Sequence, residues 1–188
     1  MRNYKKPKVI AILISYNAEK TLTGFYEELK EYYSGESILV DDKSRDNTYN
    51  LAKKLGIESY CNRINQGYGG NLRRALYIAL KKGADIIVDI HPDGEYKPSV
   101  IPLAIKEAEK GAELILGDRF SNTKEVLASG LFFWKILPIK TLNFIDNIIL
   151  GTRINDLHQG FRVYTKELLS KVNYESNSNG FIFSFELI

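Results

Sequence analysis

Cysteine is almost absent from this chain of 188 residues. The single Cys61 cannot close an internal disulfide, which fits a reducing compartment and excludes a small disulfide-stapled scaffold. Proline is scarce as well, at 5 residues, and no repeat or low-complexity tract interrupts the chain, so collagen-like and disordered classes are excluded. Neither sign of charge prevails. Lys and Arg number 26 against 23 Asp and Glu, and a net charge of +3 is too slight to mark a nucleic-acid binder. Long hydrophobic runs are missing too. Met1 to Lys8 is basic, but the apolar run behind it has only a strand's length, so no secretory signal is expected. The most lipid-like stretch, Leu127 to Leu150, is broken by Lys135, Pro138, Lys140 and Asp146, against a spanning helix of about 20 apolar residues. A core helix and an amphipathic element resting on a membrane surface are both compatible with it, the core helix being the commoner case.

What is present suffices for a core: 44% of the residues are hydrophobic, and a chain this long buries about 70% of its unfolded surface on folding. Short apolar runs recur at Val9–Ile14, Ile38–Val40, Ile86–Ile90 and Leu114–Leu116, the pattern of strands covered on both faces. Helical spacing lies between them. Leu22, Phe25, Tyr26 and Leu29 repeat at i, i+3, i+4 and i+7, as do Leu72, Ala75, Leu76 and Ala79, and Ile101, Ala104, Ile105 and Ala108. Gly83 and Gly111 follow the last two as C-terminal stops. This alternation predicts an α/β fold with a mainly parallel sheet, and with no linker in view a single domain over residues 1–188.

Ligands of such sheets sit beyond the carboxyl ends of the strands. Polar clusters follow each run there: Ser15-Tyr16-Asn17, Asp41-Asp42-Lys43-Ser44, His91-Pro92-Asp93-Gly94-Glu95 and Gly117-Asp118-Arg119. A carboxylate at Asp41 can accept hydrogen bonds from a nucleobase or a ribose, while Asp46 or Asn47 can cap the next helix. Gly67-Tyr68-Gly69-Gly70-Asn71 lacks the third glycine of a dinucleotide fingerprint, because Leu72 stands there, and reads first as a tight turn. Asp89, His91, Asp93 and Glu95 alternate, so an extended backbone sends them to one side, where two or more could hold a divalent ion. Either Asp89 with His91 or His91 with Asp93 could be the ligand pair; a solvated turn around Pro92 and Gly94 is the bland alternative. Arg119, Arg153 and Arg162 offer phosphate clamps or ordinary salt bridges. Asp156, ahead of the strand-like Phe161-Arg162-Val163-Tyr164, is a candidate base.

Taken in order, these clusters resemble the GT-A glycosyltransferases of family 2, of the dolichyl- or polyprenyl-phosphate sugar synthase type. Tyr16-Asn17-Ala18-Glu19 is similar to that family's Y-N-E-E, and Val40-Asp41-Asp42-Lys43-Ser44-Arg45-Asp46-Asn47-Thr48 to its V-D-D-x-S-x-D-x-T. Asn65-Gln66-Gly67-Tyr68-Gly69 resembles N-x-G-x-G, and Gly117-Asp118-Arg119 resembles G-S-R. Asp156 to Arg162 resembles D-x-x-S-G-F-R, with Gln159 in place of serine. His91-Pro92-Asp93-Gly94-Glu95-Tyr96 occupies the D-x-D place, with His91 for the first aspartate, Asp93 for the second and Glu95 for a glutamine.

The resemblance implies a GT-A, Rossmann-like sandwich and an inverting transfer of a sugar from a nucleotide-diphosphate sugar to an acceptor, a polyprenyl phosphate or a glycan. It implies Mg²⁺ or Mn²⁺ on Asp93 with His91 or Glu95, and a donor diphosphate on Arg119. Tyr16, Asn17, Asp41, Asp42, Gly69 and Arg162 would complete the donor site, and Asp156 would position the acceptor. Cytoplasmic placement at the inner face of a membrane is the corresponding expectation. Relatives usually continue past Phe181–Ile188, so either a truncated chain or a short member of the family is expected. The alternative is a domain of the same fold that binds nucleotide sugar or lipid without turnover. A sugar-1-phosphate nucleotidyltransferase would want a glycine-rich loop with arginine and lysine after the first strand, which Ser15-Tyr16-Asn17-Ala18 is not.

Overall fold

The computed structural model describes residues 6–94, 96–118 and 133–188, with the side chains of 133–137 left aside. Two compact units result, Met1–Ile115 with Phe161–Ile188, and Leu116–Gly160.

In the first unit, β1 (Val9–Ser15), β2 (Glu36–Asp41), β3 (Glu58–Cys61), β4 (Ile86–Asp89), β5 (Leu114–Leu116) and β6 (Arg162–Thr165) form one sheet in the order β3-β2-β1-β4-β6-β5, with the last residue of β5 opening the second unit. The pairs β1–β2, β1–β4 and β2–β3 are parallel, whereas β4–β6 is antiparallel. The sheet is therefore mainly parallel with one reversed strand, as expected of an α/β sandwich. Side chains of β1 alternate between two apolar layers. Ala11 and Leu13 join Leu39, Val88 and Val163 under α1 (Leu22–Tyr32) and α4 (Ile101–Glu109). Ile10, Ile12 and Ile14 join Ile38, Val40 and Ile87 under α3 (Gly67–Lys81). Covering both faces accounts for the continuous apolar runs, and each fully buried Ile or Leu contributes about 1.5–3 kcal/mol.

The short α2 (Thr48–Lys54) links β2 to β3, and α6 (Lys166–Lys171) follows β6. Asp46, rather than the N-cap Asn47, closes the start of α2, accepting the Thr48 N–H at 3.0 Å. Gly83 and Gly111 stop their helices with left-handed backbone, φ 82° and 107°, as the sequence predicts. Strand β3 has no counterpart in the expectations. It is a half-exposed edge with the sequence Glu-Ser-Tyr-Cys, and an edge covered on one side needs no apolar run.

In the second unit, α5 (Phe133–Leu150) turns its asparagines inward. Asn143 donates to the carbonyls of Ile154 and Asn155 and accepts the Leu157 N–H; Asn147 brackets Ile154 through both its amide atoms. Its apolar residues point the other way: Leu142, Phe144, Ile145, Ile148 and Ile149 are exposed. Over residues 138–150 the asparagine amides, rather than Leu142, Ile145, Ile148 and Ile149, hold the helix to its unit, so this part of it is not a core helix. Among the described residues no helix is long and apolar enough to cross a membrane.

Candidate active site

The carboxyl ends of β1, β2 and β4 lie along one edge of the first unit, and hydrogen bonds stitch the segments leaving them. Asn17 leaves β1 in left-handed conformation, φ 55°, and Lys43 leaves β2 likewise, φ 61°. Strain of this kind at two adjacent strand ends costs of order 1–3 kcal/mol per residue and recurs at ligand sites. The Asn17 N–H donates to Ser44 Oγ at 2.8 Å, and Asn17 Oδ1 accepts the Arg45 N–H at 2.8 Å. Ala18 and Glu19 donate to Thr48 and Asp46 in the same way. Burial works to raise the Asp46 pKa, but the hydrogen bonds from Thr48 and from the Glu19 N–H outweigh it and hold its carboxyl below the ordinary value.

Asp41 is buried and accepts from the Ser44 hydroxyl, from the Ser44 N–H at 3.0 Å and from the Cys61 thiol at 3.3 Å. Burial and then the Asp41 carboxylate push the Cys61 thiol up. Asp42 turns instead toward α3, where its Oδ1 accepts from Asn62 Nδ2 at 2.6 Å and from the Gln66 N–H at 2.7 Å. Asn71, buried in α3, extends this set by donating to the Val40 carbonyl at 2.9 Å. Asp42 thus fixes the loop before α3, and Asp41 stands nearer the segment that leaves β1. Tyr16 is exposed at the same edge.

At the end of β4, Asp89 is 0% exposed, and neither of its oxygens has a hydrogen-bond partner among the described residues. Its antiparallel partner in register is Arg162, the first residue of β6, which donates to the Tyr68 hydroxyl at 2.9 Å. The Tyr68 ring meets His91 edge-on at 5.7 Å and stacks on Phe181 at 5.2 Å, while its hydroxyl also bonds Ser184 at 3.0 Å. His91 lies between two carboxylates: Nε2 is 3.6 Å from Asp89 Oδ1, and Nδ1 is 3.8 Å from Asp93 Oδ2. Burial works to lower the His91 pKa, yet Asp89, followed by Asp93, outweighs it and raises it.

Gly69, expected to contact a ligand, packs against the C-terminal segment. Its N–H is taken by the Asn179 carbonyl at 2.8 Å, and a Cβ there would lie 2.7 Å from Phe183 Cβ and 2.8 Å from the Gly180 carbonyl oxygen. The glycine is required because the C-terminal segment lies directly on the start of α3. Of the remaining expected residues, Glu95 and Arg119 fall outside the described residues, and Asp156 is buried in the second unit.

Comparison with known proteins gives the family and the fold. Residues 10–172 match glycosyl transferase family 2. The chain belongs to that family. Among its relatives is a UDP-N-acetylglucosamine–dolichyl-phosphate N-acetylglucosaminyltransferase of Methanococcus voltae, 28% identical over 86% of this chain and 71% of the relative. Another is a polyprenol monophosphomannose synthase of Mycolicibacterium smegmatis, 27% identical over 80% of this chain and 58% of the relative. The fold matches that of glucosyl-3-phosphoglycerate synthase from Mycobacterium tuberculosis, a structure in complex with Mn²⁺, UDP-glucose and phosphoglyceric acid. The TM-score is 0.65 at 21% identity, covering 89% of this chain and 59% of the other. This family 2 chain therefore has the GT-A fold and spans about three-fifths of the solved structure's length.

Among the described residues of this family 2 member no group of three or more His, Cys, Asp or Glu side chains could hold a metal ion. A two-ligand site does fit. Ligand atoms about 2.1 Å from one divalent ion stand roughly 3.0–3.8 Å apart for angles of about 90–130°, and such ions commonly complete their shells with phosphate oxygens and water. The separation of 3.8 Å between His91 Nδ1 and Asp93 Oδ2 lies at the wide end of that interval. Sequence reasoning singled out His91, Asp93 and Arg162 but missed that Arg162 bonds the Tyr68 hydroxyl, which also bonds Ser184; only the aromatic residue inside a glycine-rich turn signalled that meeting.

Proposed function

We propose that this family 2 chain transfers a hexose, with inversion, from a nucleotide-diphosphate sugar to a polyprenyl phosphate. The observation that carries the reading is the placement of His91 and Asp93 at the end of β4, on the same sheet edge as Asn17 and Asp41. Transfer requires a group that stabilises the departing diphosphate and an acceptor oxygen aimed at the anomeric carbon from the opposite face. Asp93 and His91 would hold Mg²⁺ or Mn²⁺, with Glu95 as a further ligand, and a bound cation supplies charge neutralisation for that leaving group. Asp41, Asn17 and Tyr16 would hold the nucleoside, and Arg119 the diphosphate, as the resemblance implies. Asp156 keeps the acceptor-positioning role that the same resemblance gives it. A phosphate acceptor is already anionic, so it needs little base.

Support for the lipid comes from the two relatives named for dolichyl-phosphate and polyprenol substrates, and from the outward apolar face of α5, which suits contact with the inner face of a membrane. The Mn²⁺ complex of the structural neighbour supports the cation. The test is release of UDP or GDP from their sugars, with polyprenyl phosphate and with Mg²⁺ or Mn²⁺ present or removed. Asp93→Ala should reduce transfer at least about 100-fold, in the range of lost transition-state charge stabilisation. Near-normal turnover in that variant would overturn the site. Tight donor binding without release in any acceptor mixture would instead make the chain a binding module.

A further inference from the structure

The alternation of Asp89, His91 and Asp93 leaves one carboxylate unused by the proposed reaction, and it is the most deeply buried of the three. Its position is unusual in physical terms. A carboxylate removed from water costs several kcal/mol unless neighbours compensate it. Arg162, its cross-strand neighbour, carries the opposite charge, but both Asp89 oxygens are left without a hydrogen bond among the described residues. Nε2 of His91, itself buried and without a hydrogen bond among the described residues, stands 3.6 Å from Oδ1. That gap exceeds a hydrogen bond by only about 0.4 Å. The edge-on Tyr68 ring limits how the imidazole can turn.

We infer that Asp89 is a positioning residue for the cation site: it takes the Nε2–H of His91, so that the other ring nitrogen, Nδ1, faces Asp93 with its lone pair. A neutral imidazole carries one proton, and the bond made by one nitrogen decides which atom remains to ligate a metal. A carboxylate behind a ligating histidine fixes ring and tautomer together, and its loss typically weakens metal binding about 10–100-fold. The inference rests on the proposed cation site and adds the residue that makes a histidine usable where the family pattern has an aspartate. The two roles are distinct: Asp93 would touch the ion, whereas Asp89 would act only through His91.

The presence of only two histidines, His91 and His158, makes the test direct. In protein labelled with ¹⁵N-histidine, two-bond ¹H–¹⁵N correlation at mildly alkaline pH reads the tautomer of each ring, and His158→Gln assigns them. The expected spectrum has the His91 proton on Nε2; a proton on Nδ1 overturns the inference without any variant being needed. Mn²⁺ binding in the presence of UDP, followed by electron paramagnetic resonance, should weaken about 10–100-fold in Asp89→Asn. It should weaken no further when Asp89→Asn is added to His91→Ala, since the effect passes through the ring. An Asp89→Asn protein that binds Mn²⁺ within about twofold of the unsubstituted chain refutes the positioning role alone. An unsubstituted chain that binds no Mn²⁺ refutes the cation site and this inference with it.

Discussion

Two glycine-to-alanine substitutions, at Gly24 and Gly69, should change stability in opposite directions. Both glycines lie in the first turns of helices, α1 and α3, and in both the added methyl favours the helix by about 0.5–1 kcal/mol. At Gly24 a Cβ meets nothing within 4 Å, so the whole gain should appear. At Gly69 the methyl lands well inside contact distance of the Ser178 carbonyl oxygen, 2.8 Å from that of Gly180 and 2.7 Å from Phe183 Cβ. Two of those three atoms are backbone, so the whole turn must move. Overpacking of this kind costs about 1–3 kcal/mol. Moving the turn also loosens the hydrogen bond from the Gly69 N–H to the Asn179 carbonyl, a further 0.5–1.5 kcal/mol or so. Subtracting the helix gain leaves a net loss of about 0.5–4 kcal/mol for Gly69→Ala, against a gain of up to about 1 for Gly24→Ala. Urea unfolding followed by circular dichroism measures both. With a slope of about 1–3 kcal/mol per molar, the midpoint of Gly69→Ala should fall by roughly 1 M while the slope stays constant. A Gly69→Ala protein as stable as the parent would show that the C-terminal segment does not rest on α3, and the assigned reason for this glycine would fail.

Asn71→Ala removes the donor to the Val40 carbonyl and the acceptor for Asn62, and should destabilise the fold by about 1–3 kcal/mol in the same urea assay; an unchanged midpoint would disprove the network. Stability should decline in acid. The carboxyls of Glu36 and Glu58, held by Lys82, and of Asp46, held by Thr48 and the Glu19 N–H against burial, all lie below their ordinary values of 4.5, 4.5 and 3.8. A lowered native pKa adds stability that is fully present above the unfolded value and is lost as the pH falls through and below it, so melting temperatures should drop below about pH 4.5. A flat profile down to pH 3 or so would contradict the assignment. On α5, Ile148→Glu together with Ile149→Glu should weaken sedimentation with vesicles of anionic lipid at least about tenfold, because two exposed apolar side chains become charged. Equal sedimentation of the variant would remove α5 from the membrane contact.

Much of the fold could be read along the chain because the sheet is covered on both faces. Val9–Ile14 and Ile86–Ile90 announce themselves as unbroken apolar runs, and Leu72, Leu76 and Ala79 as a helix stripe, since each is buried by its immediate surroundings. The place of Asp89, His91 and Asp93 just after such a run marked them as candidates, and the family resemblance singled out His91 and Asp93 for the proposed site. Strand β3 was not legible, because an edge strand needs no apolar run, and the reversal of β6 was not, because direction in a sheet is a property of the pairing. Nor was the direction in which α5 faces: its composition suits a core, but Asn143 and Asn147 spend their amides on the loop at 152–157 and leave Phe144 and Ile149 outside.

The sequence alone determined the alternation of strands and helices, the sheet edge proposed to carry chemistry and the residue types gathered there, all properties of short segments. Tertiary structure decided which carboxylate at the end of β4 is buried behind His91 and which faces outward. It also decided that Gly69 serves a chain segment more than a hundred residues away, and that Tyr68, Arg162 and Ser184 meet. The physical reason is that burial and hydrogen-bond pairing depend on neighbours in space, and for these residues the neighbours come from β6 and the C-terminal segment, which no local pattern connects to the glycine-rich turn.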